Sequence, residues 1–240
     1  MKTFMHLMLV LAVGLFFYGV KGHYYRLSDA YLRERIVMLV SKAGQCTGVE
    51  VLAPSGKIVT LTAGHCVDVF VDGTATAITE DGQETEIDLL YEDQEADLAV
   101  AEGVGDKFVS IAKDIKDLEK VHTMTHGGGQ RSYRTDGEII DYYMNDIPAF
   151  EIDSPEKELQ CQRSPKMKAG TMPFIFGIKI PVCFLHVKQI ISTAKVVPGS
   201  SGGPLFNEKN ELVGIVSASI MEFFSSYSGT ADIHMFLRDK

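Results

Sequence analysis

From Arg35 onward the apolar residues come in short runs, each closed by a turn signal, and that rhythm points to an all-β domain. Arg35–Val40 reads as a buried strand, Thr47–Leu52 as a second and Ile58–Leu61 as a third, with Pro54-Ser55-Gly56 turning between the last two. Asp81-Gly82 is a strong hairpin signal between Ala75–Thr79 and Glu84–Leu90. Leu98–Ala101, Glu138–Tyr143, Gln189–Ala194, Leu212–Ser217 and Gly229–His234 supply further strands, and Phe236-Leu237-Arg238 a short closing helix. Residues 104–120 carry no clear pattern, and Gly127-Gly128-Gly129 is a loop. Residues 144–180, of mixed charge and interrupted by prolines, read as a long and partly irregular insertion. Many short strands over this length suit barrels or sandwiches.

The first 22 residues stand apart. Lys2 precedes an apolar stretch from Phe4 to Val20 broken only by His6, and Lys21 closes it. This is the pattern of a secretory signal, or of a single uncleaved N-terminal membrane anchor at the lower limit of spanning length. Either reading places the rest of the chain outside the cytoplasm. Four cysteines, Cys46, Cys66, Cys161 and Cys183, suggest disulfides in an exported chain. Four cysteines permit three pairings, and sequence order does not choose among them. No C-x-x-C spacing recommends a metal site with His65, His122, His126 or His186.

Hydrophobic residues make up 45% and charged residues 23%, which excludes a disordered, collagen-like or multi-spanning chain. The net charge is -9, and loss of residues 1–22 with their two lysines takes it to -11. Nucleic acid is therefore an unsuitable partner. Residues 68–106 hold thirteen acids and no Lys or Arg. The stretch reads as the solvated face of a half-buried hairpin, or as a calcium loop, although no EF-hand spacing supports the ion.

Pro198-Gly199-Ser200-Ser201-Gly202-Gly203-Pro204-Leu205 carries the chemistry. Glycines permit a tight turn and leave backbone N–H groups free to meet a substrate oxygen. A serine hydroxyl needs an adjacent base to become a nucleophile, and the oxyanion it generates needs preorganised donors. A base is offered by Thr62-Ala63-Gly64-His65-Cys66, where a histidine follows an apolar strand. A carboxylate is offered by Asp97-Leu98-Ala99-Val100, at the head of a buried strand. Alone, the histidine reads as structural and the aspartate as a strand cap. Together, 32 residues from His65 to Asp97 and 104 from Asp97 to Ser201, they leave room for two barrels to meet.

These segments, with Leu212–Ser219, resemble the chymotrypsin-fold serine proteases of the trypsin-like superfamily over roughly residues 35–103 and 186–238. The His-to-Asp segment with its Asp81-Gly82 turn is more similar to the bacterial and high-temperature-requirement type than to the digestive type. The resemblance implies two six-stranded antiparallel β-barrels, the first over about residues 29–120 and the second over about 121–240, with the active site in the cleft between them. It implies Ser201 as nucleophile, His65 as general base and acid, and Asp97 as the group that orients His65. The N–H groups of Gly199 and Ser201 would form the oxyanion hole, with no metal or organic cofactor. Lys195, six residues before Ser201, falls where the family sets the base of the substrate pocket; it favours an acidic side chain there or snorkels to solvent. Ser217 and Ser219 would line the pocket wall and pair with extended substrate. The family's frequent bridge maps onto Cys46 and Cys66, which leaves Cys161 and Cys183 as the second pair.

Two rival readings share the same residues. One is a silent relative serving as a binding module; the other is an acyl hydrolase, although the G-x-S-x-G elbow and the Ser–Asp–His order are missing. Digestive relatives carry an aspartate directly before the serine, paired with a new N-terminus; here that residue is the neutral Ser200. Activation is therefore expected not to depend on an N-terminus at Ile36.

Overall fold

The computed structural model describes residues 27–116, 118–128, 130–163, 167–173, 179–220 and 224–238. Residues 1–22, expected to be a leader, lie outside them. No helix among the described residues is long and apolar enough to cross a membrane.

A helix, α1, over residues 27–33 leads into the first barrel. Its strands are β1 (Ile36–Ser41), β2 (Gly44–Leu52), β3 (Ile58–Thr62), β4 (Thr74–Ile78), β5 (Glu84–Asp93) and β6 (Leu98–Glu102). The ring runs β1-β2-β3-β6-β5-β4 and closes through β1 against β4, Leu39 opposite Ala77. Closure abolishes the edges that would otherwise invite aggregation. Leu39, Val49, Val51, Leu61, Leu98 and Val100 fill the interior, each at most 1% exposed. Gly82, with φ +87°, makes the turn that Asp81-Gly82 predicts. Beyond it β5 keeps Ile87 buried and Glu84, Glu86 and Asp88 exposed. The acid-rich stretch is thus the wet face of a strand.

The second barrel contains β7 (Lys120–Thr125), β8 (Tyr133–Glu151), β10 (Lys179–Ser192), β11 (Pro204–Asn207), β12 (Leu212–Ile220) and β13 (Phe224–Gly229). They follow the order β13-β12-β11-β7-β8-β10, and β10 returns to β13 to close the ring. The remaining strand, β9 (Met167–Pro173), pairs with the first half of β10. Val121, Ile139, Ile190, Leu205, Val216 and Tyr227 form this barrel's own core. The protein is all-β, as the strand pattern and the resemblance imply.

Two expectations need correction. The described residues between 144 and 180 are mostly regular: β8 runs on to Glu151, helix α2 spans Pro155–Arg163, and β9 pairs with β10. Gly229–His234 is not a strand. The last strand ends at Gly229, and helix α3 spans Thr230–Arg238. Ile233, Phe236 and Leu237 are buried on one face of α3 and join the first barrel's apolar cluster, a spacing only a helix can present.

Two disulfides are present, Cys46–Cys66 and Cys161–Cys183. The first ties β2 to the turn after β3; the second ties α2 to β10. Each closes a loop of about 20 residues, worth roughly 3 kcal/mol in the chain-entropy account.

Candidate active site

His65 lies in a short 3₁₀ helix, Gly64–Val69, that follows β3 closely, and its side chain is half exposed. Its neighbour Cys66 is fully buried in the disulfide to Cys46, so the turn is anchored covalently beside the imidazole. Gly64 leaves room for the approach of Asp97: a Cβ there would crowd the Asp97 backbone at 3.0 Å. Asp97 has φ +50°, a left-handed conformation that aspartate tolerates better than most residues. This bend at the head of β6 turns its carboxylate back toward His65.

Asp97 Oδ1 accepts the His65 backbone N–H at 2.9 Å and faces His65 Nδ1 at 3.0 Å. Oδ2 accepts the hydroxyl of Ser217, which itself accepts from Gln189 Nε2 at 3.3 Å. Facing a carboxylate, Nδ1 carries the proton, and Nε2 is left as the basic nitrogen. The hydrogen bond to Asp97 holds the His65 pKa above its ordinary 6.5, outweighing the opposing effect of burial.

The glycine-rich loop sits between β10 and β11 and is packed on the same structure. Gly202 has φ +79°, and a Cβ there would overlap Thr62 Oγ1 and approach Ala63 N, close before His65 in the chain. Its N–H donates to the carbonyl of Val216 at 2.9 Å, next to Ser217. The carbonyl of Ser201 accepts the Thr47 N–H at 2.8 Å, beside Cys46. Ser201 is therefore fastened to the residues that flank the histidine turn and the aspartate's partner.

Two peptide planes of the loop are pinned at their oxygens. Pro198 C=O accepts Gly128 N–H at 2.9 Å, and Ser200 C=O accepts Gly203 N–H at 2.9 Å. In a trans peptide the N–H points opposite to the C=O, so the N–H groups of Gly199 and Ser201 face away from those anchors. Among the described residues neither has a hydrogen-bond acceptor. Ser200 is buried, with Oγ 2.8 Å from Thr125 Oγ1 and accepting the Val197 N–H at 3.3 Å. Gly127 leaves the space for it, since a Cβ there would overlap Ser200 Oγ.

The other expected residues are more dispersed. Lys195 is exposed, and its carbonyl accepts the Thr135 hydroxyl at 2.6 Å. Ser217, expected in a pocket wall, has its hydroxyl on Asp97. Ser219 pairs with Ser225 between β12 and β13, and its side chain lies outside the described residues. The sequence alone does not reveal Gln189 behind Ser217, Thr125 beside Ser200, or Thr47 and Gly128 against the loop. Their only signal was the Gly127-Gly128-Gly129 run, which reads as an ordinary loop until its partner is known. Among the described residues no three His, Cys, Asp or Glu converge as a metal site would require.

Comparison with known proteins places the fold. The trypsin-like peptidase domain model matches residues 46–215. No curated protein sequence matches. Among solved structures, the active form of the Rv3671c protease from M. tuberculosis aligns with a TM-score of 0.62 at 18% identity, over 87% of this chain and 82% of that one. The serine endoprotease from Yersinia pestis aligns at 0.61 and 17%, over 90% of this chain and 65% of that one. The HtrA-type protease AlgW, solved with a tripeptide, aligns at 0.61 and 18%, over 90% and 62%. The chain thus spans under two thirds of the length of the last two, and at such identities the likeness concerns the fold. The family model spans well over half the chain, and the chain belongs to the trypsin-like peptidase domain family.

Proposed function

We propose that the chain is a serine endopeptidase acting outside the cytoplasm, with Ser201, His65 and Asp97 as its catalytic triad. The observation that carries this reading is the Asp97 carboxylate, held between His65 Nδ1 and the Ser217 hydroxyl. Ser201 Oγ attacks the scissile carbonyl carbon, and its proton passes to His65 Nε2. The carbonyl oxygen becomes an oxyanion and meets the N–H groups of Gly199 and Ser201. When the C–N bond breaks, the leaving amine takes the proton from His65 and an acyl-enzyme remains on Ser201. Water then attacks the ester, gives a proton to His65, and the carboxylic product leaves as Ser201 regains its proton. Asp97 keeps the imidazole in the required tautomer and offsets its charge. Two disulfides suit an oxidising compartment, in keeping with export, secreted or held by a single N-terminal anchor.

A fluorophosphonate probe tests the assignment. Wild type is expected to be labelled and to digest dye-quenched casein, while Ser201→Ala does neither. Unlabelled wild type would point to a silent binding module. Labelling with ester but no casein turnover would point to an acyl hydrolase.

The structure also supports activity without N-terminal processing. Leu32 of α1 is fully buried in the first barrel's core, and its carbonyl accepts the Arg35 N–H at 2.9 Å. Ile36 pairs with Val49 inside β1 and β2, so the chain ahead of it belongs to the barrel. Ser200 offers no charge for a new ammonium group. Protein carrying its residues ahead of Ile36 is expected to react with the probe at full rate. A requirement for cleavage between Arg35 and Ile36 would refute this.

A further inference from the structure

We infer that Thr47 is a positioning residue for the oxyanion site: its hydroxyl, reaching across from the first barrel, holds the Gly199 peptide. The inference rests on Ser201 being the nucleophile. Four consecutive carbonyls of the loop, Pro198 to Ser201, each accept one hydrogen bond. The donors are, in order, Gly128 N–H at 2.9 Å, Thr47 O–H at 2.9 Å, Gly203 N–H at 2.9 Å and Thr47 N–H at 2.8 Å. One residue of β2 therefore supplies two of the four.

The hydroxyl's capacity matches its surroundings. Its single hydrogen goes to Gly199 C=O, and its oxygen accepts the His126 N–H at 3.0 Å. Gln45, two residues earlier on β2, donates from Nε2 to His126 C=O. Both sides of His126 are thus tied to the first barrel, two residues before the Gly128 N–H that pins Pro198. Thr47 is fully buried, so solvent does not replace the bonds if the hydroxyl is removed. Gly199 is the weak point of the loop. At φ +88° and without a Cβ it resists rotation less than any other residue would, and only its anchored neighbours keep its N–H aimed.

Removing an oxyanion donor outright costs about 10²–10³ in rate. Thr47 acts through a peptide, so the expected loss is smaller. In the full-length protein Thr47→Val keeps the shape and the backbone N–H but loses the hydroxyl. Its second-order rate of fluorophosphonate labelling is expected to fall about tenfold to a hundredfold, with the pH limb set by His65 unmoved. Thr47→Ser restores the hydroxyl and is expected within about threefold of wild type. Thr47→Val at the wild-type rate, Thr47→Ser as slow as Thr47→Val, or a displaced pH limb would each overturn the assignment. Should Thr47→Val fail to fold, Gln45→Leu probes the same brace from its half-buried end. It is expected to label several-fold more slowly, and a wild-type rate there overturns the brace. Wild type that does not label at all removes the catalytic reading, and this inference with it; labelled wild type with unchanged variants removes this inference alone.

Discussion

If Asp97 serves the proposed triad, Asp97→Asn is expected to lower kcat/KM for casein hydrolysis about 10⁴-fold, the scale on which a wrong histidine tautomer acts in a Ser–His–Asp triad. The carboxylate receives only donors: the His65 N–H and Nδ1–H on one oxygen, the Ser217 hydroxyl on the other. An asparagine must turn its NH₂ to one side. Facing His65, it meets Nδ1 as a donor, pushes the ring proton to Nε2 and removes the base that Ser201 needs. Facing Ser217, it keeps the tautomer but withdraws the negative charge opposite the imidazolium. The pH profile separates this from simple disruption. Asp97 is the largest cause of the raised His65 pKa, and His65 must be neutral to accept a proton. Wild-type activity is therefore lost as pH falls through a limb above 6.5, and the variant's limb moves to lower pH. The measurement is the pH dependence of fluorophosphonate labelling for both proteins. A rate within tenfold of wild type, or a limb that stays in place, would remove Asp97 from its assigned role.

The parts of this molecule that are legible in its sequence are those set by short-range chemistry. The β4–β5 hairpin is readable because Asp81-Gly82 fixes its turn and Ile78 then pairs with Glu84 across it. The residues of the proposed triad stand out because each carries a local signature: a serine among glycines, a histidine after an apolar strand, an aspartate heading one. The long pairing of β8 with β10 is not readable in the same way. Tyr143 and Gln189 pair across 46 residues, and nothing near either names the other. Helix α3 is hidden in the sequence for a different reason. Its first half, Thr230 to His234, carries no decisive period, and the helical spacing emerges only when Ile233 is set beside Phe236 and Leu237. The supporting residues are hidden for the same cause as that long pairing. Thr47, Thr125 and Gln189 are ordinary strand residues until closure of two barrels brings Gly199, Ser200 and Ser217 against them.

Glu50 shows how far such hidden contacts reach, and it yields the largest expected effect on stability. It lies on β2 and is 2% exposed. Its Oε1 is 2.6 Å from Thr60 Oγ1, and its Oε2 accepts the Val104 N–H at 3.2 Å. Thr60 Oγ1 also lies 2.7 Å from the carbonyl of Glu102. A hydroxyl has one hydrogen, so it cannot donate both to a carboxylate and to a carbonyl. Both contacts are satisfied when Glu50 is a neutral acid that donates to Thr60 while Thr60 donates to Glu102. Burial agrees, raising the Glu50 pKa from 4.5 to about 7 against the opposing hydrogen bonds. The sign of the linkage follows. Below 4.5 the folded and unfolded chains both hold the proton; between 4.5 and about 7 only the unfolded chain releases it. This group's contribution is therefore complete in acid and is lost as pH rises, by about 3 kcal/mol once pH passes 7. Glu50→Gln reproduces the neutral acid, with its NH₂ donating to Thr60 and its oxygen accepting from Val104, and it does not titrate. Urea unfolding of both proteins at pH 4.5 and pH 8 is expected to show the variant gaining on wild type by about 3 kcal/mol between the two. Parallel stabilities at both pH values would mean that Glu50 is charged in the folded protein, and that Thr60 leaves the Glu102 carbonyl without its donor.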